Sequence, residues 1–92
     1  MNMSSPSLIV KDVFLFSDGR TIFTGNPLAE YKLFPAGKYE LLINNQVNCH
    51  LDIDGEELPT PLLKNIRAIS THDTVPIDIV KQNIGSVIVR KI

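Results

Sequence analysis

Apolar residues recur at every second position through most of this chain, the spacing that sends alternate side chains of an extended strand to opposite faces of a sheet. The first such run, Leu8 to Phe16, is rich in branched and aromatic residues and stops at Ser17-Asp18-Gly19-Arg20. There Asp-Gly offers the positive φ that a tight hairpin needs. A second strand, Thr21 to Thr24, ends at Gly25-Asn26-Pro27. Leu28 to Ala36 reads either as one helical turn or as an irregular excursion, and Pro35 with Gly37 forbids a longer helix.

Lys38 to Ile43 resumes the extended pattern, and Asn44-Asn45-Gln46 is a turn because Asn tolerates left-handed backbone geometry. Val47, Cys49, Leu51 and Ile53 then alternate with Asn48, His50 and Asp52, the cleanest inside-outside pattern of the chain. Asp54-Gly55-Glu56-Glu57 closes that strand. In Leu58-Pro59-Thr60-Pro61 two prolines lack the ladder donor, so a loop or edge segment is expected. Further strands are predicted over Asn65 to Ser70, Val75 to Val80 and Ile84 to Ile92, with a turn at Lys81-Gln82-Asn83.

This spacing predicts an all-β fold, a small antiparallel β-barrel of about six to eight short strands. Closure is favoured over an open sheet because it hides strand edges. Met1 to Ser7 reads as a flexible tail and 8–92 as one barrel domain.

Composition narrows the function classes. With 92 residues, 43% of them hydrophobic, the chain builds one core. Nine basic and ten acidic residues are scattered without blocks, for a net charge of -1. That balance disfavours non-specific nucleic-acid binding and electrostatic docking to anionic lipid. Cys49 is the sole cysteine, so no internal disulfide and no cysteine-based metal cluster is expected within one chain. The N-terminal stretch lacks the basic start and apolar run of a signal peptide, and no run has transmembrane length. The expected location is cytoplasmic, with no membrane contact, no metal and no cofactor.

The candidate chemistry is sparse. His50 and His72 lack metal-ligand spacing and read as surface histidines. Asp52, Asp54, Glu56 and Glu57 resemble part of a calcium loop without its downstream ligands, and read as a solvated hairpin tip. Ser70-Thr71-His72-Asp73 reads as a capped turn, since neighbours on extended chain point to alternate sides and do not form a triad. Cys49 reads as a buried filler with a raised pKa. Among Phe14, Phe16, Phe23, Phe34, Tyr31 and Tyr39, most are expected in the core. A base-stacking platform requires Phe23 or Tyr39 to lie exposed beside Arg20, Lys38 or Arg67.

Four segments, in order along the chain, carry a family likeness: Ile9-Val10-Lys11-Asp12-Val13-Phe14; Gly19-Arg20-Thr21-Ile22-Phe23-Thr24-Gly25; Phe34-Pro35-Ala36-Gly37-Lys38-Tyr39-Glu40-Leu41; and Asn83-Ile84-Gly85 followed by Val87-Ile88-Val89-Arg90. Together they resemble the second, β-barrel domain of translational GTPases of the elongation factor Tu type, standing alone. The family pattern is Gly-Arg-Gly before the threonine, whereas here Asp18-Gly19-Arg20 precedes Thr21, which displaces the arginine by one residue. No G-x-x-x-x-G-K-[ST] loop is present, so GTP hydrolysis is excluded for this chain.

The resemblance implies contact with transfer RNA or neighbouring protein domains. The leading expectation is a non-enzymatic binding module that presents its irregular stretches, Gly25 to Gly37 and Glu56 to Lys64, to a protein partner or to another copy of itself. An RNA-binding module is the alternative, and a small enzyme of unrecognised class the third. Arg20, Lys38, Arg67, Tyr31 and Phe34 are the candidate RNA or partner contacts.

Overall fold

In the computed structural model, which describes residues 5–29, 33–57 and 66–92, strand β1 (Ser7–Leu15) doubles back into β2 (Thr21–Pro27). The turn uses Gly19 at φ 93, with the Gly19 N–H donating to the Phe16 carbonyl at 3.0 Å. Strands β3 (Gly37–Ile43) and β4 (Gln46–Glu57) form a second hairpin, turned by Asn44 and Asn45 at φ 54 and 67. Two successive left-handed residues give the turn a twist that matches the strands it joins. Then follow β5 (Arg67–Thr71), the short helix α1 (Ile77–Gln82) and β6 (Val87–Lys91).

The six strands close into an antiparallel barrel in the order β1-β2-β5-β4-β3-β6. The sequence expectation of a small all-β barrel holds. Two long strands bend at its corners: β1 pairs with β6 over Ser7 to Ile9, and its ladder with β2 shifts register between Val10 and Asp12. β4 pairs with β3 as far as Ile53 and with β5 from Ile53 onward, across a shift at Ile53/Gly55. Bulges of this kind supply the local twist that lets one strand serve two walls.

The lumen is filled by alternate residues of every strand, among them Leu8, Val10, Phe23, Tyr39, Leu51 and Val89. Each buried aliphatic side chain contributes about 1.5–3 kcal/mol relative to exposure. The Tyr39 hydroxyl donates to the Pro35 carbonyl at 2.7 Å. Burial, reinforced by the nearby Glu56 carboxylate, pushes its pKa up to about 12.

Four sequence readings need correction. Val75 to Val80 is not a strand: Ile77 to Gln82 forms α1, with the Val80 N–H donating to the Pro76 carbonyl at 3.1 Å. Ile77 and Val80, three apart, pack towards the core while Ile79 faces out, so the period-two look of Val75, Ile77 and Ile79 conceals a helical face. Pro76 suits a helix start, where no donor is needed, and α1 packs on β1.

Secondly, Asp54 to Glu57 continues β4, and the Glu56 side chain is only 4% exposed, so the acidic cluster is not a solvated tip. Thirdly, Val47 does not share the inner face of Cys49, because the β3–β4 register skips Asn48. Lastly, Ile84 to Ser86 forms a turn, and the final strand begins only at Val87. Leu28, Ala29 and Leu33 to Ala36 are irregular, whereas Glu30 to Lys32 and the expected loop at Leu58 to Pro61 lie outside the described residues.

Candidate binding surface

The basic residues singled out in the sequence are all engaged with carboxylates. Arg20, at the end of the β1–β2 turn, donates from Nε to Asp18 at 3.1 Å and from Nη1 to Glu57 at 3.0 Å, and its guanidinium lies 5.4 Å from the centroid of the exposed Phe16 ring. The Arg20 backbone N–H, joined by its guanidinium, holds the Asp18 carboxyl below its usual range against the opposing effect of burial. Lys38 pairs with Asp52 at 3.4 Å across the β3–β4 ladder.

Arg67 opens β5 and faces the barrel mouth. Its Nε and Nη2 grip the two oxygens of Glu56, and Glu56 Oε1 also accepts the Phe34 N–H at 2.9 Å. Phe34 is 0% exposed, plugs that mouth, and carries the Arg67 guanidinium 5.3 Å from its ring centroid. Phe34 is therefore a core residue rather than a contact residue. Burial would raise the Glu56 carboxyl, but the Arg67 bonds and the Phe34 N–H outweigh it and hold the group below the ordinary range. Tyr31 lies outside the described residues. Phe23 and Tyr39 are both 0% exposed, so the stacking platform that RNA recognition would require does not form from them.

Several other polar residues are likewise bonded to one another. His72 Nδ1 lies 2.6 Å from Asp54 Oδ2 on the surface. The Ser70 hydroxyl donates to Glu57 at 2.8 Å, and Thr71 donates to the Asp52 carbonyl at 2.7 Å while accepting the Asp73 N–H at 3.0 Å. This is the capped turn expected from the sequence. Among the described residues no cluster of His, Cys, Asp or Glu is placed to hold a metal ion, and no helix is long and apolar enough to cross a membrane.

What the strand register assembles is a row of aliphatic residues on the outside of the barrel. Ile9 lies opposite Ile88, Ile88 opposite Leu42, and Leu42 opposite Val47, across β1, β6, β3 and β4. Residues directly opposite in a ladder share a face, and the face here is the outer one. Leu8, Val89 and Leu41, their strand neighbours, belong to the packed core cluster, which none of the four joins, although Leu42 is buried at 7% exposure. Val47 is 51% exposed and Ile9 and Ile88 are half-buried, with Leu42 as the floor between them.

On one side the row is bordered by Arg90 opposite Glu40, whose side chains meet at 2.7 Å, with His50 next on β4. On the other side lie the turns at Asn44-Asn45 and Gly85-Ser86, where a shallow cleft of about 330 Å³ opens between Ile9, Ile88 and these turns. Exposed Ile79 of α1 lines a second cleft together with Val47 and Ile43. Sequence reasoning missed these residues because it looked only for alternation. The available signal was three consecutive apolar residues within a strand, as in Leu8-Ile9-Val10, Leu41-Leu42-Ile43 and Val87-Ile88-Val89, where the middle residue must point away from the lumen.

No family model, no curated protein and no solved structure matches this chain.

Proposed function

We propose that this barrel is a non-enzymatic binding module that works by docking onto another protein surface through the outer face of β1, β6, β3 and β4. The observation that carries this reading is the cross-strand row Ile9, Ile88, Leu42 and Val47, an apolar stripe between a charge-paired row and an amide-rich rim. An apolar centre with a polar border that excludes water is how protein interfaces concentrate binding energy. The irregular segments 28–29 and 33–36, at the barrel end where Phe34 sits, are a secondary contact region in this proposal.

RNA binding ranks second. Phosphate contact needs available cations, and Arg20, Lys38 and Arg67 each spend theirs on a carboxylate. The likeness to a translational-GTPase barrel fits a module that binds without hydrolysing. Its one cysteine and lack of disulfides suit a reducing compartment, and we place it in the cytoplasm.

A photo-cross-linking amino acid at position 47 tests the reading in the native cell. Discrete protein adducts from position 47, but not from the exposed Thr74 site elsewhere on the barrel, are expected. Equal labelling from both positions, or none, rejects the docking face.

A further inference from the structure

The docking face has an internal symmetry that points to what covers it. Its four strands run in the order β1-β6-β3-β4, and the apolar and charged rows cross them in parallel. A two-fold axis parallel to the strands and midway between β6 and β3 exchanges β6 with β3 and β1 with β4. Resting on the docking reading above, we propose that the occupant is a second copy of this chain, packed face to face about that axis.

The axis brings like rows together with complementary contents. Ile88 meets Leu42 of the second copy at the centre of the contact, and Ile9 and Val47, on the outer strands of the curved barrel wall, flank it. In the neighbouring row Arg90 meets Glu40 of the second copy and Glu40 meets its Arg90. Each cation keeps its own partner, Glu40 at 2.7 Å, and gains a second anion across the interface. Beyond that row Lys38 and Asp52 form another balanced pair. The two charged rows therefore balance, and neither repels a copy of itself. Closed two-fold packing of one patch on itself is also the commonest way for soluble chains to associate.

Four strands at about 4.8 Å spacing make a narrow stripe. The interface falls at the small end of specific contacts, below about 1,200 Å², so association is weak, with a Kd between about 10 μM and about 1 mM.

Sedimentation velocity of the full chain across that concentration range tests the proposal, with circular dichroism of every variant as the fold control. The expected result is a concentration-dependent rise towards twice the monomer mass, lost by at least tenfold in affinity on Ile88→Lys. Arg90→Glu and Glu40→Arg each place like charges opposite one another and abolish self-association. Mixed in equal amounts, the two variants restore it, because position 90 of one meets position 40 of the other with opposite sign. A wild-type chain that stays monomeric at about 1 mM, or a dimer indifferent to Ile88→Lys, overturns the proposal, and so does failure of the two charge variants to associate when mixed. A monomeric chain that still cross-links from position 47 to a different protein leaves the docking reading standing and rejects the second copy alone. If neither happens, both fall.

Discussion

Gly25 of β2 passes so close to Ile9 of β1 that a Cβ built on it would lie 1.8 Å from the Ile9 carbonyl oxygen and 3.1 Å from the Lys11 nitrogen. The obstacle is backbone on the bulged side of β1, where the register slips between Val10 and Asp12, so no side-chain rotation relieves it. The barrel corner thus depends on a missing side chain. Gly25→Ala is expected to lower stability by about 2–4 kcal/mol by forcing two strands apart. Urea unfolding reads this as a fall in midpoint, and a change of less than about 0.5 kcal/mol would remove the close approach from the account.

The mouth latch of Glu56, Arg67 and Phe34 gives stability a pH dependence. The Glu56 carboxyl is held below its ordinary value of 4.5 in the folded chain. A depressed carboxyl contributes stability that is fully present above the unfolded pKa and is lost as pH falls through the folded one. Glu56→Gln should cost about 3 kcal/mol at pH 7, since it leaves the mostly buried Arg67 without its counter-charge. It should also flatten the stability profile between neutral pH and the acid limb. Unfolding midpoints measured from pH 3 to 7 for both proteins check this, and parallel profiles would show that another carboxyl governs the acid limb.

How much of this was legible follows from which residues carry local instructions. The Asp18-Gly19 and Asn44-Asn45 turns are readable because their backbone geometry needs those residue types, and they place two hairpins correctly. The helix at Ile77 to Gln82 was not readable, since six residues are too few for its period to separate from alternation. Glu56 looked solvated because its partners, Arg67 and the Phe34 N–H, are brought to it only by closure of the barrel. The binding surface was hidden for a related reason: Ile9, Ile88, Leu42 and Val47 are distant in sequence and become a row only through register.

Cys49 offers a chemical probe of the β4 wall. Burial, with a smaller effect from Asp73, pushes its thiol above the ordinary value of 9.0, and the side chain packs against the core. Thiolate is the reactive form, so at pH 8 a disulfide reagent should modify the folded chain at least tenfold more slowly than the chain in denaturant. The folded thiol is disfavoured as an anion, and stability should fall as pH rises past 9. Equal rates in the two states would place the sulfur in open solvent.

Val47 and Leu51 are four residues apart on one strand, and simple alternation would bury both. The skipped residue Asn48 turns Val47 to the outer face opposite Leu42, at 51% exposure, while Leu51 stays inside at 1%. Val47→Thr adds a hydroxyl that would be costly in a core but is solvated here, so it should change stability by less than about 0.5 kcal/mol. Leu51→Ala removes buried methyl groups and leaves a cavity, with an expected loss of about 2–5 kcal/mol. Unfolding both variants in urea at equal, low concentration separates the two faces without interference from association. Comparable losses would mean that Val47 points into the lumen, and the aliphatic row on the outside would then end at Leu42.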